Sequence, residues 1–382
     1  MYQMKGGEMH VGEDLSRRAF LAQSLKMIGV GMLAPVLSSC WQISHETGIP
    51  EEKVSPTFLA PSPTSTTCPS PTPEVTKFEG QPPARVALVR TTNRAEGVRR
   101  AVVLLGMPDV KGKNVLLKPN FNSADPTPAS THNDVLRTLV ELLWEGEAHS
   151  ITVADRSGMG ETHKVMEQKG IFAMAAELGF RTLVLDELGA KDWVQIQPPG
   201  SHWSRGFLFA RPILEADVIV QTCCLKTHRY GGHFTLSLKN SVGMVARYGP
   251  DYYDYMAELH SSPHQRKMIA EINFAYKPAL VVLDGVEAFV TGGPERGKKV
   301  QAEVILAGTD RVAIDAAGVA ILRLFGTTPE VERGPVFAQE QIARAVELGL
   351  GISRPEEIQF LTDDAPSAEF AERVQEILLK QT

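Results

Sequence analysis

The chain has 382 residues, a formal net charge of −6 and 43% hydrophobic residues. That charge, with no dense basic patch, argues against nucleic acid as a partner. Four cysteines, Cys40, Cys68, Cys223 and Cys224, rule out a disulfide framework and four-cysteine zinc or iron–sulfur spacing.

In chain order, the first signal is SRRAFL at residues 16–21, followed by an apolar run of 11 residues from Met27 to Leu37 and then Leu37-Ser38-Ser39-Cys40. A spanning helix needs about 20 apolar residues. Charge, a short apolar core and small residues instead make a secretory signal. The paired Arg17 and Arg18 with Phe20-Leu21 resemble a twin-arginine export signal, and LSSC resembles a lipobox that would lipidate Cys40. The expected partners at this end are the twin-arginine export machinery and membrane lipid through Cys40. Residues 1–39 are expected to be removed, leaving 343 residues.

Residues 40–84 follow as the lipidated cysteine and a tether, since Pro50 to Pro83 holds nine prolines and ten serines or threonines. Such composition buries too little apolar surface to offset chain entropy. The sequence thus predicts a body, residues 85–382, held off a membrane surface. It is long enough to bury a large core as one domain or two lobes.

In the body, strands are predicted at 85–90, 114–118, 150–155, 181–186, 217–222, 279–284 and 303–308. These runs are apolar enough to be buried on both faces. Helices are predicted from Asn93 to Leu105, Asn133 to Trp144, Thr162 to Leu178, Ser262-Pro263 to Tyr276, Arg311 to Leu324 and Gln339 to Leu348. ARYGPDYYDYMAELHSSP at 246–263 lacks apolar periodicity and reads as a long loop with four tyrosines, and His260 or His264 is expected to face the site. The alternation gives an α/β fold, a mostly parallel sheet with helices on both faces. Ligands in such folds sit at the carboxyl ends of strands.

The polar residues following the apolar runs are therefore the candidates. Lys118-Pro119-Asn120-Phe121-Asn122, Asp155, Lys226-Thr227-His228, Asp284-Gly285 and Asp310 all close such runs. Lys118, Lys226 and Lys239 either reach solvent separately or share an anion site, because an ammonium group is a point charge suited to phosphate or carboxylate. Asn120, Asn122 and Asn240 either add amide contacts or satisfy local turns. His228 is the candidate for proton transfer, with Lys226 beside it and Asp284 orienting a partner. Gly292 and Gly293, in GGPERG, are expected in a tight loop over the ligand, and Ser157–Thr162 in a strand-to-helix turn. Cys224, His228 and His233, or Asp155, Asp284, Asp310 and Asp315, are two sets with metal-binding chemistry. The metal and any cofactor stay unknown from sequence. Cys223-Cys224 reads as two buried small hydrophobes or a vicinal disulfide.

LLKPNFN, LKTH, TLSLKNSVG, LDGVEAFVTGGPERG and DRVAIDAAG, in that order, resemble the family called domain of unknown function 362, over most of Arg85 to about Thr362. The resemblance implies a fold and candidate sites but no reaction. It also implies an association with iron–sulfur proteins, although the ferredoxin-like module of some members is missing here. Three functions remain open: an enzyme acting on a small anionic substrate, a solute-binding lipoprotein, and a partner of an iron–sulfur redox assembly.

Overall fold

A computed structural model describes residues 82–380. The export signal, Cys40 and all of the tether but its last residues, 82–84, lie outside the described residues.

The body is built on one nine-stranded sheet. In chain order the strands are β1 (Ala84–Arg90), β2 (Asn114–Lys118), β3 (Ser150–Asp155), β4 (Arg181–Val184), β7 (Val218–His228), β8 (His233–Thr235), β9 (Leu280–Gly292), β10 (Gly297–Gly308) and β11 (Ile358–Leu361), and β5 (Trp193–Ile196) with β6 (Phe207–Ala210) forms a separate hairpin. The order across the sheet is β11-β1-β10-β9-β7-β2-β3-β4, with β8 on the end of β7. The run β9-β7-β2-β3-β4 is parallel throughout, whereas β10 is antiparallel to both β9 and β1. The sheet is therefore mostly parallel, and the carboxyl ends of β2, β3 and β7 meet at one rim.

Both faces are covered, as the apolar runs require. On one side lie α1 (Arg94–Leu105), α2 (Asn133–Glu145), α3 (Thr162–Gln168) and α4 (Ile171–Leu178). On the other lie α9 (Arg311–Leu324), α11 (Glu340–Glu347) and α12 (Ala365–Leu379). A third cluster joins the β5–β6 hairpin to α7 (Tyr255–Ser261) and α8 (Gln265–Ile272). The short helices α5 (Arg211–Leu214), α6 (Ser237–Asn240) and α10 (Pro329–Glu332) complete the set. The described residues belong to one compact unit, and no second lobe separates from it.

Local chemistry explains where the structure departs from the sequence reading. Gly170 takes a left-handed backbone with φ of 71° and splits the helix expected over 162–178 into α3 and α4. Asp254 accepts a hydrogen bond from the Ala257 N–H and starts α7 inside the segment expected to be a loop. Ser262 ends that helix, and the next one begins at Gln265, reaches Ile272 and continues as the 3-10 turn Asn273–Ala275. The strand expected over 181–186 stops at Val184, where a 3-10 turn begins. Most consequential are the strands expected to end at Thr222 and Asp284. β7 runs on to His228 because β8 folds back along it, and β9 runs on to Gly292 because β10 does the same.

Candidate functional site

Lys118 closes β2 and Asp155 closes β3, and the neighbouring strands bring the two side chains together. Lys118 Nζ lies 2.7 Å from Asp155 Oδ1, with side chains 1% and 2% exposed. Lys118 also donates to the Pro119 carbonyl at 2.6 Å and to Asn240 Oδ1 at 3.1 Å. Asp155 accepts from the Phe121 and Arg156 N–H groups at 2.6 and 2.7 Å. Burial works against both charges, lowering the lysine and raising the aspartate, while each holds its partner ionised.

The asparagines of the loop after β2 tie the lysines together. Asn120 accepts from Lys226 Nζ at 2.7 Å and donates to Asn240 Oδ1 at 3.3 Å. Asn240 in turn donates to the Thr222 carbonyl at 3.0 Å. It sits with Lys239 on α6, a single turn held by Asp315 of α9. That carboxylate accepts from the Ser237 N–H at 2.8 Å, the Ser237 hydroxyl at 2.7 Å and the Leu238 N–H at 3.1 Å. Asp315 is thus a clamp on the element that carries Lys239, and burial pushes its carboxyl up to about 7.

These elements border an open-mouthed cavity of about 460 Å³, also lined by the tyrosine-rich segment and α7. Its lining holds four cations, Lys118, Arg156, Lys239 and Arg247, against two carboxylates, Asp155 and Asp254. Asp155 is committed to Lys118, and Asp254 caps α7. Arg156 is solvated by carbonyls instead of carboxylates: Nε donates to Val245 O at 2.7 Å and Nη2 to Val242 O at 2.8 Å. Burial lowers its pKa to about 10. Arg247 donates to Ser157 O at 3.2 Å.

The side-chain amine of Lys239, a residue 8% exposed, has no hydrogen-bond or ion-pair partner among the described residues. Burial, then Lys226 and Arg156, pushes its amine down to about 7. Lys226, wholly buried, is lowered to about 8 by the same burial. His228 is held well below the ordinary imidazole value by burial and by Lys239, Lys226 and His260, so it is neutral at pH 7. Three buried polar atoms on lining residues have no partner: His228 Nδ1, Thr235 Oγ1 and Asn122 Nδ2. Buried polar groups are ordinarily satisfied, so three unpaired ones on the walls of one cavity show that these walls are not packed for stability alone.

Of the residues singled out from sequence, Lys118, Asn120, Asn122, His228, Lys239, Asn240 and His260 line the cavity. Lys226 stands behind it, reaching it through Asn120. Asp284 is elsewhere. It lies within β9 on the face covered by α1, paired with Arg94 at 2.9 Å, and accepts from the Val286 N–H at 3.0 Å. Gly292 and Gly293 form the β9–β10 turn and are not in the lining; their neighbour Pro294 is. A Cβ on Gly293 would start 2.0 Å from the Thr227 carbonyl, so this glycine lets the turn press on β7. His264 packs with its ring tilted against that of His202, outside the cavity.

Neither metal set assembles. Asp310 caps α9 and Asp315 clamps α6, and among the described residues no three His, Cys, Asp or Glu side chains are placed to hold an ion. Cys223 and Cys224 are free, buried thiols, and burial pushes Cys224 up to about 11, which leaves it unreactive at neutral pH. Sequence reasoning missed Arg156, Arg247 and Thr235. Arg156 had a readable signal, since it directly follows the strand-closing Asp155. Thr235 lies two residues beyond His233, on a strand too short to be seen as one.

Residues 115–320 match the family described as Domain of unknown function (DUF362). The chain is 24% identical over 252 residues to the thylakoid-associated protein sll1697 of Synechocystis sp., covering 65% of this chain and 74% of that protein. Among solved structures it is similar to the lactate racemase apoprotein from Thermoanaerobacterium thermosaccharolyticum, with a TM-score of 0.39 and 16% identity. That match covers 65% of this chain and 58% of that one, less than two thirds of its length, and a likeness so remote carries no functional weight. The family match runs from β2 into α9, more than half of the sequence, and contains every residue of the cavity lining: the chain belongs to the DUF362 family.

Proposed function

We propose that the protein is an enzyme of the cell envelope whose cavity binds a small anionic substrate and whose His228 moves a proton on it. The observation that carries the reading is the charge imbalance of the lining. Lys239 and Arg247 have no carboxylate partner among the described residues. Arg247 is half-buried with a single carbonyl partner, so an anionic guest would supply its missing counter-charge, while Lys239, pushed down to about 7, is charged in about half of the molecules at pH 7 and adds a smaller share. Beside them the neutral His228 lines the same cavity and is the candidate base. Solute capture expects a hinge between two lobes, and the single compact unit does not favour it.

The placement at a membrane rests on the sequence: the paired arginines, the short apolar run and Cys40. A thylakoid-associated relative is compatible with it. No helix among the described residues is long and apolar enough to cross a membrane, so the proposed anchor is the lipid on Cys40. A Cys40→Ala variant is expected to leave the membrane fraction, and its retention there refutes the anchor.

The test of the site is ligand-dependent stability. Phosphate and succinate are expected to raise the melting temperature of the intact chain, since a ligand at a hundred times its Kd adds about 2.7 kcal/mol. Arg247→Met should lose most of that rise and Lys239→Ala a smaller share of it. An unchanged response in both variants places the anion elsewhere.

A further inference from the structure

We infer that Lys239 is a covalent residue that forms an imine with its substrate, and that the anion bound here is therefore an oxo acid, a carboxylate with a neighbouring carbonyl carbon. The inference rests on the anion-site reading above and adds the substrate class and the reacting atom.

The three buried lysines are not equivalent. Lys118 Nζ is occupied by Asp155, Pro119 O and Asn240 Oδ1. Lys226 Nζ donates to Asn120 Oδ1 and to the Ala129 carbonyl. Lys118 has all three hydrogens taken and Lys226 two of its three. Lys239 Nζ alone of the three has no partner among the described residues, and it borders the cavity. A lysine meant only to attract an anion gains from staying charged. Lys239 instead is desolvated and faces Lys226 and Arg156, which favours the free amine. Desolvation beside other cations is how an amine is made nucleophilic at neutral pH.

His228 is placed to serve that amine. A Cβ built on Gly232 would lie 2.8 Å from Lys239 Cε and 2.9 Å from His228 Nδ1, so lysine stem and imidazole flank one point that only a glycine leaves empty. Thr235 Oγ1, also unpartnered, lines the same cavity. Arg247, which also lines the cavity, remains for the carboxylate.

The step balances without an oxidant or reductant. The Nζ lone pair bonds to the carbonyl carbon and the carbonyl π pair moves to oxygen. His228 carries one proton from nitrogen to that oxygen, and a second comes from solvent. The oxygen then leaves as water while the nitrogen lone pair closes the C=N bond. Amine, carbonyl and one proton give a protonated imine and one water.

The experiment is reductive trapping on the intact chain, with glyoxylate, pyruvate and 2-oxoglutarate as probes, sodium cyanoborohydride as reductant, and peptide mapping by mass spectrometry. One adduct per chain is expected, on Lys239, formed at least tenfold faster than on any other lysine. It should be slowed by succinate, slowed in His228→Ala and absent in Lys239→Arg. Should Lys239→Arg fail to fold, the mapping on the unaltered chain decides alone. No adduct with any of the three probes, equal labelling of exposed lysines, or a single adduct on Lys118 or Lys226 overturns the inference. Phosphate or succinate raising the melting temperature while no adduct forms sinks the imine and leaves the anion site standing. Neither effect sinks both.

Discussion

Asp155→Asn is the perturbation that tests the floor of the cavity most directly. The carboxylate accepts from the Phe121 N–H, the Arg156 N–H and Lys118 Nζ, all at 2.6–2.7 Å. An amide of the same shape has one acceptor oxygen, so its NH2 must face one of those donors. It also leaves the Lys118 charge, 1% exposed, without a counter-ion. Breaking a buried pair on one side costs about 3–5 kcal/mol. For a body of this size that is about 6–10 °C of melting temperature, at about 2 °C per kcal/mol. Differential scanning calorimetry at pH 7 reads it. The double variant Lys118→Met with Asp155→Asn is expected to recover part of the loss, because the orphaned charge has gone. A fall of less than 2 °C in the single variant, or no recovery in the double, refutes the claim that this pair is ionised and buried in the working protein.

The remaining predictions concern Lys239 and the glycine beside the Lys118–Asp155 pair. At pH 7 about half of Lys239 is neutral, against about 3 in 10,000 for a lysine titrating at 10.5, so trapping at Lys239 should level off above about pH 8 while surface lysines still speed up; a Lys239 rate that climbs to pH 10 contradicts the lowered value. Between pH 7 and 10.5 the unfolded chain carries a proton on Lys239 that the folded chain lacks, so stability rises with pH across that window. Lys239→Met removes that rise, and its stabilising effect in thermal melts should be largest at pH 7 and shrink towards pH 10. Gly243→Ala would set a Cβ 2.4 Å from Asp155 Oδ1 and 2.9 Å from Lys118 Nζ, an overpacking worth about 1–3 kcal/mol; calorimetry should show the fall, with weakened phosphate binding.

How far the sequence could be read depended on the range of the interaction involved. Strands such as NVLLK and SITVAD announce themselves because burial on both faces leaves an unbroken apolar run, and the charged residue that ends each run is where the strand meets the rim. That logic placed Lys118 and Asp155 at the rim. It misled at Asp284, where a polar residue after ALVVL reads as the strand's end. The strand continues, and its two-residue period points Asp284 to the face of Val282, under α1. What makes a carboxylate tolerable there is Arg94, 190 residues earlier in the chain, and nothing local signals that pairing. Lys226 shows a milder form of the same limit, since only β8, folding back, reveals that it lies within a strand. Asp254, by contrast, was readable in principle: an aspartate ahead of Ala257-Glu258-Leu259 is a helix start, obscured by the tyrosines around it.

The cavity is also the place where this sequence departs furthest from what stability alone would select. Across the rest of the sheet, most positions of comparable burial hold apolar residues, valine, leucine and isoleucine above all. At the rim, side chains almost as deeply buried are Lys118, Lys226, His228 and Lys239, and each is driven towards its neutral form by its surroundings. Packing gives no reason for such a cluster, because apolar residues of similar volume would fill the space at lower cost. Natural sequences break their own rules in this way where a function requires it, and the stability lost is made up elsewhere. The three lysines divide the work by their partners: one is neutralised by a carboxylate, one is held by an amide and a carbonyl, and one is left free beside an unpaired imidazole. A site that served only to attract charge would have no use for that division, and a site that must hold an anion while offering it an amine would need all of it.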